Sequence, residues 1–354
     1  MELNNIIFSF ALLFVGYFFK KYSLLTLKKN KFKLLSDNQF KKPQAFHETA
    51  TYRLGGITIF LLLTLVFLFL FFFKNIFFLE YVSFCTLFFL LGLVDDFKID
   101  IRPKFRLLAM IAALLILIAI NDLYIEKSGL SFLNNLLAID IFALFFVSLC
   151  FLFIINGSNL IDGFNGLLGI HAIIIFMVLF FINFFGENYD LTRVLFYIIL
   201  LLIIFLKFNF PKAKMFLGDS GAYLIGALIA ISSIKTSIAN PSISPFFFCV
   251  LLFYLFFEVF FSFFRKIFVE RKTPLFPDSK HLHMFLYKFL LKKYKTKSES
   301  NYMVSVYINL AYFLSLIPAI FFLEDGVFCR FYFFFMIIIY IYSYVTLQKD
   351  VRKK

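Results

Sequence analysis

The chain has 354 residues, 62% of them hydrophobic and 22% aromatic, with a mean hydropathy of +0.92, which is too apolar for a globular protein that buries one core and wets its surface. Its formal charge of +14 suits anionic lipid headgroups and phosphorylated molecules, although a positive cytosolic face explains much of it, and no nucleic-acid partner is expected. Sixty Phe and no Trp read as codon drift, and Cys85, Cys150, Cys249 and Cys329 lack any disulfide or metal spacing.

The expected fold is all-α, a polytopic integral membrane protein. The first apolar run, near Ile6 to Phe19, follows Glu2 and precedes Lys20-Lys21. A cleaved signal peptide has its positive charge ahead of the run, so this one reads as an uncleaved span. About eleven transmembrane helices are expected, near 4–24, 55–73, 76–94, 107–120, 139–155, 167–185, 194–210, 222–234, 246–264, 303–322 and 331–347. Lys74-Asn75 makes a tight turn between the second and third. With the N-terminus outside and the C-terminus cytosolic, only Lys74, Lys127, Arg193, Lys235 and Arg330, of 35 Lys and Arg, face outward. The cytosolic loops are then about 25–54, 95–106, 156–166, 211–221 and 265–302. With no repeat, linker or soluble domain, residues 1–354 form a single transmembrane catalytic domain, with four polar clusters on its cytosolic face.

Asp95-Asp96 closes the third span. Adjacent helical positions point about 100° apart, so the two acids need not share a partner. One can bind a cation or pair with Lys98, Lys104 or Arg106 while the other acts as a base; the plainer alternative is a solvated helix end. Within 156–166, Asn156, Asn159, Asp162 and Asn165 recur every three residues. A continuous helix would turn Asn156 and Asn165 to opposite sides. Gly157, Gly163 and Gly166 point instead to a broken or tightened turn that folds these groups around one ligand. Their oxygens suit Mg²⁺, and the amides can also read a base or an acetamido group; an ordinary Asn- and Gly-rich turn is the alternative.

Phe216-Leu217-Gly218-Asp219-Ser220-Gly221 precedes the eighth span. Asp219 or Ser220 can simply cap that helix. The helix start also suits phosphate, and an Asp there can hold the magnesium a phosphate carries. Pro277-Asp278-Ser279-Lys280-His281-Leu282-His283 follows two basic pairs. Zinc lacks a third ligand nearby, so phosphate contact fits His281 and His283 better, with a neutral interfacial loop as the alternative. His47 and His171 carry less weight.

Together these clusters resemble the polyprenyl-phosphate N-acetylhexosamine-1-phosphate transferases, the glycosyltransferase family 4 type. The likeness runs from Lys42 through His283, on Arg53-Leu54-Gly55-Gly56, Gly92 to Asp96 with Lys104 and Arg106, Asn156 to Gly166, Phe216 to Gly221, and Asp278 to His283. The Pro-Asp-x-x-His-Leu-His ending resembles the undecaprenyl-phosphate N-acetylglucosamine-1-phosphate transferase branch, whereas the peptidoglycan-precursor branch has adjacent histidines. Met284 stands where another His is frequent, and Asn165 and Glu258 where Asp is common; these departures bear on the sugar rather than on the reaction class.

The resemblance implies transfer of an N-acetylhexosamine 1-phosphate from a UDP-N-acetylhexosamine to undecaprenyl phosphate, with UMP released, in a bacterial inner membrane. It implies Mg²⁺, or Mn²⁺ in its place, on Asp219 and Asn159, with Asp162 beside it. Asn156 would bind substrate, Asn165 would contact the uracil or its surroundings, Lys104 a phosphate, and His281 and His283 phosphate or sugar oxygens. Asp95 or Asp96 would deprotonate the lipid phosphate, which attacks directly or through a phosphorylated Asp. A homodimer is compatible with this reading. The rival class is a transporter, but transporter sites lie near the midplane between related halves, whereas these clusters share one interface and no halves match.

Overall fold

The computed structural model describes residues 3–30, 36–37, 51–97, 99, 101–125, 127–274, 278–294 and 296–352. Their backbone forms α1 (Leu3–Asn30), β1 (Ser36–Asp37), β2 (Thr51–Arg53), α2 (Gly55–Lys74), α3 (Leu79–Asp96), α4 (Pro103–Ile120), α5 (Ser131–Leu137), α6 (Asp140–Ile161), α7 (Leu167–Phe185) and α8 (Tyr189–Asn209). It continues through β3 (Met215–Phe216), α9 (Gly218–Ala239), α10 (Pro245–Leu251), α11 (Phe253–Phe264), a π-helical turn (Arg265–Val269), α12 (Leu282–Tyr294), α13 (Lys297–Phe321) and α14 (Gly326–Arg352). The fold is the expected all-α membrane type, since only helices satisfy every backbone group of a single span inside hydrocarbon.

Each apolar run maps onto one helix except 246–264, which is divided between α10 and α11, and α5 and α12 are additional short ones. Among the described residues, nine helices are long and apolar enough to cross a membrane, or ten if α10 and the α11 segment, bent by 75°, form one span. The 18-residue α3 carries Glu80, Asp95 and Asp96, which lowers its apolarity without shortening it. The short run at 107–120 gains its length from Pro103 at the first helical position, where proline loses no helical hydrogen bond.

At the centre lies α9, buried almost continuously from Gly218 to Ile234 and packed against α3, α6, α2 and α7. No apolar or turn pattern signals the small three-stranded sheet. In it β1 pairs antiparallel with β2, and β2 pairs parallel with β3 through Tyr52↔Met215 and Arg53↔Phe216. This pairing sets Arg53 beside the start of α9, and Gly56 N–H then donates to Leu217 O at 2.8 Å.

The expected break across 156–166 is smaller than the glycines suggested. Helix α6 runs unbroken to Ile161, so Asn156 and Asn159 sit on regular helix and only 162–166 turns. Gly157 serves packing: a side chain there would run into the Leu255 carbonyl of α11. Close helix approach, a common use of small residues in membranes, accounts for Gly157 in place of the expected broken turn. His47 and Lys98 lie outside the described residues.

Candidate active site

The site begins where α3 ends. Asp96, only 1% exposed, accepts the Asp219 N–H on Oδ1 and the Ser220 N–H on Oδ2, both at 2.9 Å. This approach requires Gly92, because any side chain there would strike the Asp219–Ser220 backbone. It also requires Gly218, whose φ of +81° turns the chain into α9 and whose Cβ would lie 2.6 Å from Asp96 Oδ2. Helix α9 has no side-chain cap of its own. A carboxylate from another helix takes that role, in the place where free N–H groups and the helix dipole favour negative charge. The helix end that the sequence offered to phosphate is therefore filled by Asp96.

The neighbouring acid faces elsewhere, as the 100° step requires. Asp95 Oδ2 lies 2.9 Å from Arg106 Nη1 in the first turn of α4, whereas Lys104 is exposed on that turn. Arg53 Nη1 is 3.4 Å from both Asp96 Oδ1 and Asp219 Oδ2. Asp162, at the C-cap of α6, lies within electrostatic reach of Asp219, Arg53 and Asp96.

Burial, reinforced by the charge of Asp219, pushes Asp162 and Asp96 above the usual carboxylate range, against the pull of Arg53. Burial also raises Asp95, against Arg106. Four carboxylates thus crowd around two guanidiniums. The excess negative charge is the condition a divalent cation relieves.

The three Asn residues divide. Asn159 Nδ2 donates to the Tyr223 hydroxyl at 3.2 Å, beside the acids. Asn156 Nδ2 donates to the Leu152 carbonyl one turn back, at 2.8 Å. Asn165 fastens the 162–166 turn: Nδ2 donates to Pro211 O at 3.0 Å, its N–H to Asn301 Oδ1 at 2.9 Å, and its carbonyl accepts from Ser305 Oγ at 2.7 Å. The structure gathers Asp95, Asp96, Asp162, Asp219 and Asn159, while the amides of Asn156 and Asn165 are engaged by nearby backbone.

The histidines form a second centre around Glu258, 1% exposed on α11. Its Oε2 lies 3.2 Å from His281 Nδ1, and its Oε1 accepts the Leu282 N–H at 3.0 Å. His281 Nε2 faces Asp278 Oδ1 at 3.3 Å, and Asp278 Oδ2 lies 2.8 Å from Arg265 Nη2. Burial opposes the ionised form of Asp278, but the bond from Arg265 and the charge of His281 hold it below its usual range. His283 Nδ1 meets the Tyr254 hydroxyl at 3.2 Å, while its Nε2 is buried without a partner. Burial also lowers the His283 imidazole below its usual value, against Glu258. The Phe164 ring packs edge-on against His283 at 5.7 Å, which joins this centre to the 162–166 turn. Among the described residues, no group of three or more His, Cys, Asp or Glu is placed to hold a metal by itself, so an ion at Asp219 would need an amide or substrate oxygen as well.

Three participants escaped the sequence reading in these roles. Arg53 had a signal, a cation directly ahead of Leu54-Gly55-Gly56. Glu258 had one too, as an acid inside an apolar run. Tyr223 had none, being one aromatic among many.

The family model for glycosyl transferase family 4 matches residues 78–237, which include all four carboxylates but neither Arg53 nor His281 and His283. The chain is 31% identical over 252 residues to the undecaprenyl-phosphate alpha-N-acetylglucosaminyl 1-phosphate transferase of Thermotoga maritima, covering 71% of this chain and 72% of that protein. It is 38% identical over 197 residues to a phospho-N-acetylmuramoyl-pentapeptide-transferase of Dictyoglomus turgidum, covering 53% and 61%. The corresponding protein of Dictyoglomus thermophilum is 33% identical over 202 residues, covering 54% and 62%.

Proposed function

We propose, from the premise that the chain belongs to glycosyl transferase family 4 and is a membrane enzyme of the hexosamine-1-phosphate transferase type, that it carries N-acetylglucosamine 1-phosphate from UDP-N-acetylglucosamine to undecaprenyl phosphate. UMP leaves, and the product is the first lipid-linked intermediate of a surface polysaccharide or cell-wall glycan. The observation that carries the reading is the gathering of Asp95, Asp162 and Asp219 around Arg53, held by the Asp96 clamp on α9. The positive-inside pattern supports a cytosolic site in a bacterial inner membrane, with the N-terminus outside.

The chemistry assigns the two adjacent acids different work. Asp96 has both oxygens committed to backbone N–H groups, so it positions α9. Asp95 has one oxygen on Arg106 and is the group left to take or repel the proton of the lipid phosphate. An oxygen of that phosphate attacks the sugar-linked phosphorus, the bond to the UMP phosphate breaks, and UMP departs with the electron pair. Asp219 and the Asn159 amide oxygen would hold Mg²⁺, for which the crowded carboxylates provide the charge. When bound, the ion offsets negative charge on the diphosphate and the transferring group. Arg53, 3.4 Å from Asp96 and Asp219, and the exposed Lys104 in the first turn of α4 suit the remaining phosphate oxygens.

The 38% identity to a phospho-N-acetylmuramoyl-pentapeptide-transferase favours a second reading with the same chemistry on UDP-N-acetylmuramoyl-pentapeptide. Membranes containing this chain, supplied with undecaprenyl phosphate, Mg²⁺ and labelled UDP-N-acetylglucosamine, should form a labelled lipid and release UMP. A label entering lipid only from the muramoyl-pentapeptide donor selects the second reading. No labelled lipid from any UDP-N-acetylhexosamine overturns both.

A further inference from the structure

We propose that Tyr223 is a positioning residue for Asn159: its phenol takes the amide NH₂ and so leaves the amide oxygen facing the cation site shared with Asp219. The inference rests on the metal reading above. Tyr223 follows Asp219 by four positions, so both project from one side of α9. Its side chain is fully buried, 0% exposed, which fixes the hydroxyl in place. Asn159 reaches it from the last turn of α6, donating from Nδ2 at 3.2 Å.

An amide has a donor side and an acceptor side. Next to carboxylates, the NH₂ group would ordinarily turn toward them, because it is the side that can donate. Asn159 would then pair with Asp219 or Asp162 and present no oxygen to a cation. The phenol prevents this by supplying a competing acceptor. A phenol oxygen can accept as well as donate, and this one lies within electrostatic reach of Asp219, Arg106 and Asp95. With NH₂ engaged, Oδ1 is the side of the amide open to a cation, and an amide oxygen beside a carboxylate oxygen is a pair that a hard divalent ion stabilises. Tyr223 therefore acts through Asn159 and need not touch the substrate.

The test uses the purified full chain in detergent, without substrate, titrated with Mn²⁺ and followed by loss of the free-ion magnetic resonance signal. Four proteins are compared: wild type, Tyr223→Phe, Asn159→Ala and the double variant. Loss of one hydrogen bond should weaken Mn²⁺ binding by about three- to ten-fold in Tyr223→Phe, and should add nothing in the Asn159→Ala background. The metal-free melting temperature of Tyr223→Phe should stay at the wild-type value because the ring remains packed. Mn²⁺ binding by Tyr223→Phe equal to wild type overturns the inference, as does an equal loss in both backgrounds, which would make the phenol act independently. Wild-type protein that fails to bind Mn²⁺ overturns the metal reading itself, a separate result.

Discussion

Replacing Asp96 by Asn separates a structural acid from a catalytic one. The side chain keeps its shape, but one oxygen becomes an NH₂ group and the charge is lost. In the native protein both oxygens accept backbone N–H groups at 2.9 Å at the start of α9. One bond must therefore disappear, leaving an N–H of Asp219 or Ser220 facing another donor. A hydrogen bond to a charged group contributes about 1.5–3 kcal/mol, and an orphaned buried N–H costs about 1–3 kcal/mol. Relief of repulsion from Asp219 and the easier burial of a neutral amide offset part of this. The net expectation is a loss of about 2–4 kcal/mol, concentrated at the junction of α3 and α9.

With the exposed Cys249 and half-buried Cys150 replaced by Ala throughout, the buried thiols of Cys85 and Cys329 provide the assay, because a thiol-reactive fluorophore reaches them only as the chain opens. Asp96→Asn should react at a distinctly lower temperature than wild type, and Asp95→Asn at nearly the wild-type temperature, since Asp95 keeps a hydrogen-bonding partner in Arg106. Activity should show the opposite order when both are assayed well below their melting points. An Asp96→Asn protein as stable as wild type but without turnover would refute the assignment of Asp96 to architecture and of Asp95 to proton removal.

Asp95→Asn should lower kcat by about 10²–10⁴-fold, the span of a general base, with little change in KM for the nucleotide sugar; unchanged kcat removes Asp95 from the chemistry. Asp219→Asn should raise the Mg²⁺ concentration needed for half-maximal activity more than any other single Asp→Asn change, as measured by metal titration at fixed substrate. Gly157→Ala should destabilise the α6–α11 contact by about 1–3 kcal/mol through overpacking, seen as a lower melting temperature of the metal-free protein. Asp278 has its folded pKa depressed below the unfolded value of 3.8, so its bond to Arg265 stabilises the 265–283 segment above that pH. The contribution should be lost as pH falls through the folded value, and hydrogen exchange in this segment should accelerate there and not between pH 5 and 7.

Much of this was legible in the sequence because hydrocarbon imposes a simple rule. Apolar length finds a helix, and the expected spans coincide with helices except 246–264, which breaks into α10 and α11; the bounds 167–185 are those of α7. Polar residues that interrupt such runs need a reason, and that criterion found Asp95, Asp96, Asn159, Asp162 and Asp219 without any view of their contacts. What spacing could not supply was partnership. Asp95 and Asp96 are adjacent in sequence, yet one caps α9 and the other pairs with α4, and only the positions of those helices decide which does which. Asn156 and Asn165 share the period of Asn159, but period does not show whether an amide will meet a ligand or a nearby carbonyl.

The glycines carry this point further. Gly157 and Gly218 look alike in sequence, each with an Asn or Asp next to it and a Ser within two positions. At Gly218 the backbone needs a positive φ and the missing side chain makes room for Asp96; at Gly157 the helix is regular and the missing side chain makes room for Leu255. A local rule reads both as breaks. Hydrocarbon contributes no driving force of its own between helices, so small residues in a membrane protein are often selected for close approach. In this fold that approach is what brings acids from α3, α6 and α9 within reach of one another. The glycines are therefore part of the site's construction as much as the acids are, and substitutions at Gly92 or Gly218 should disable it without removing a single charged group.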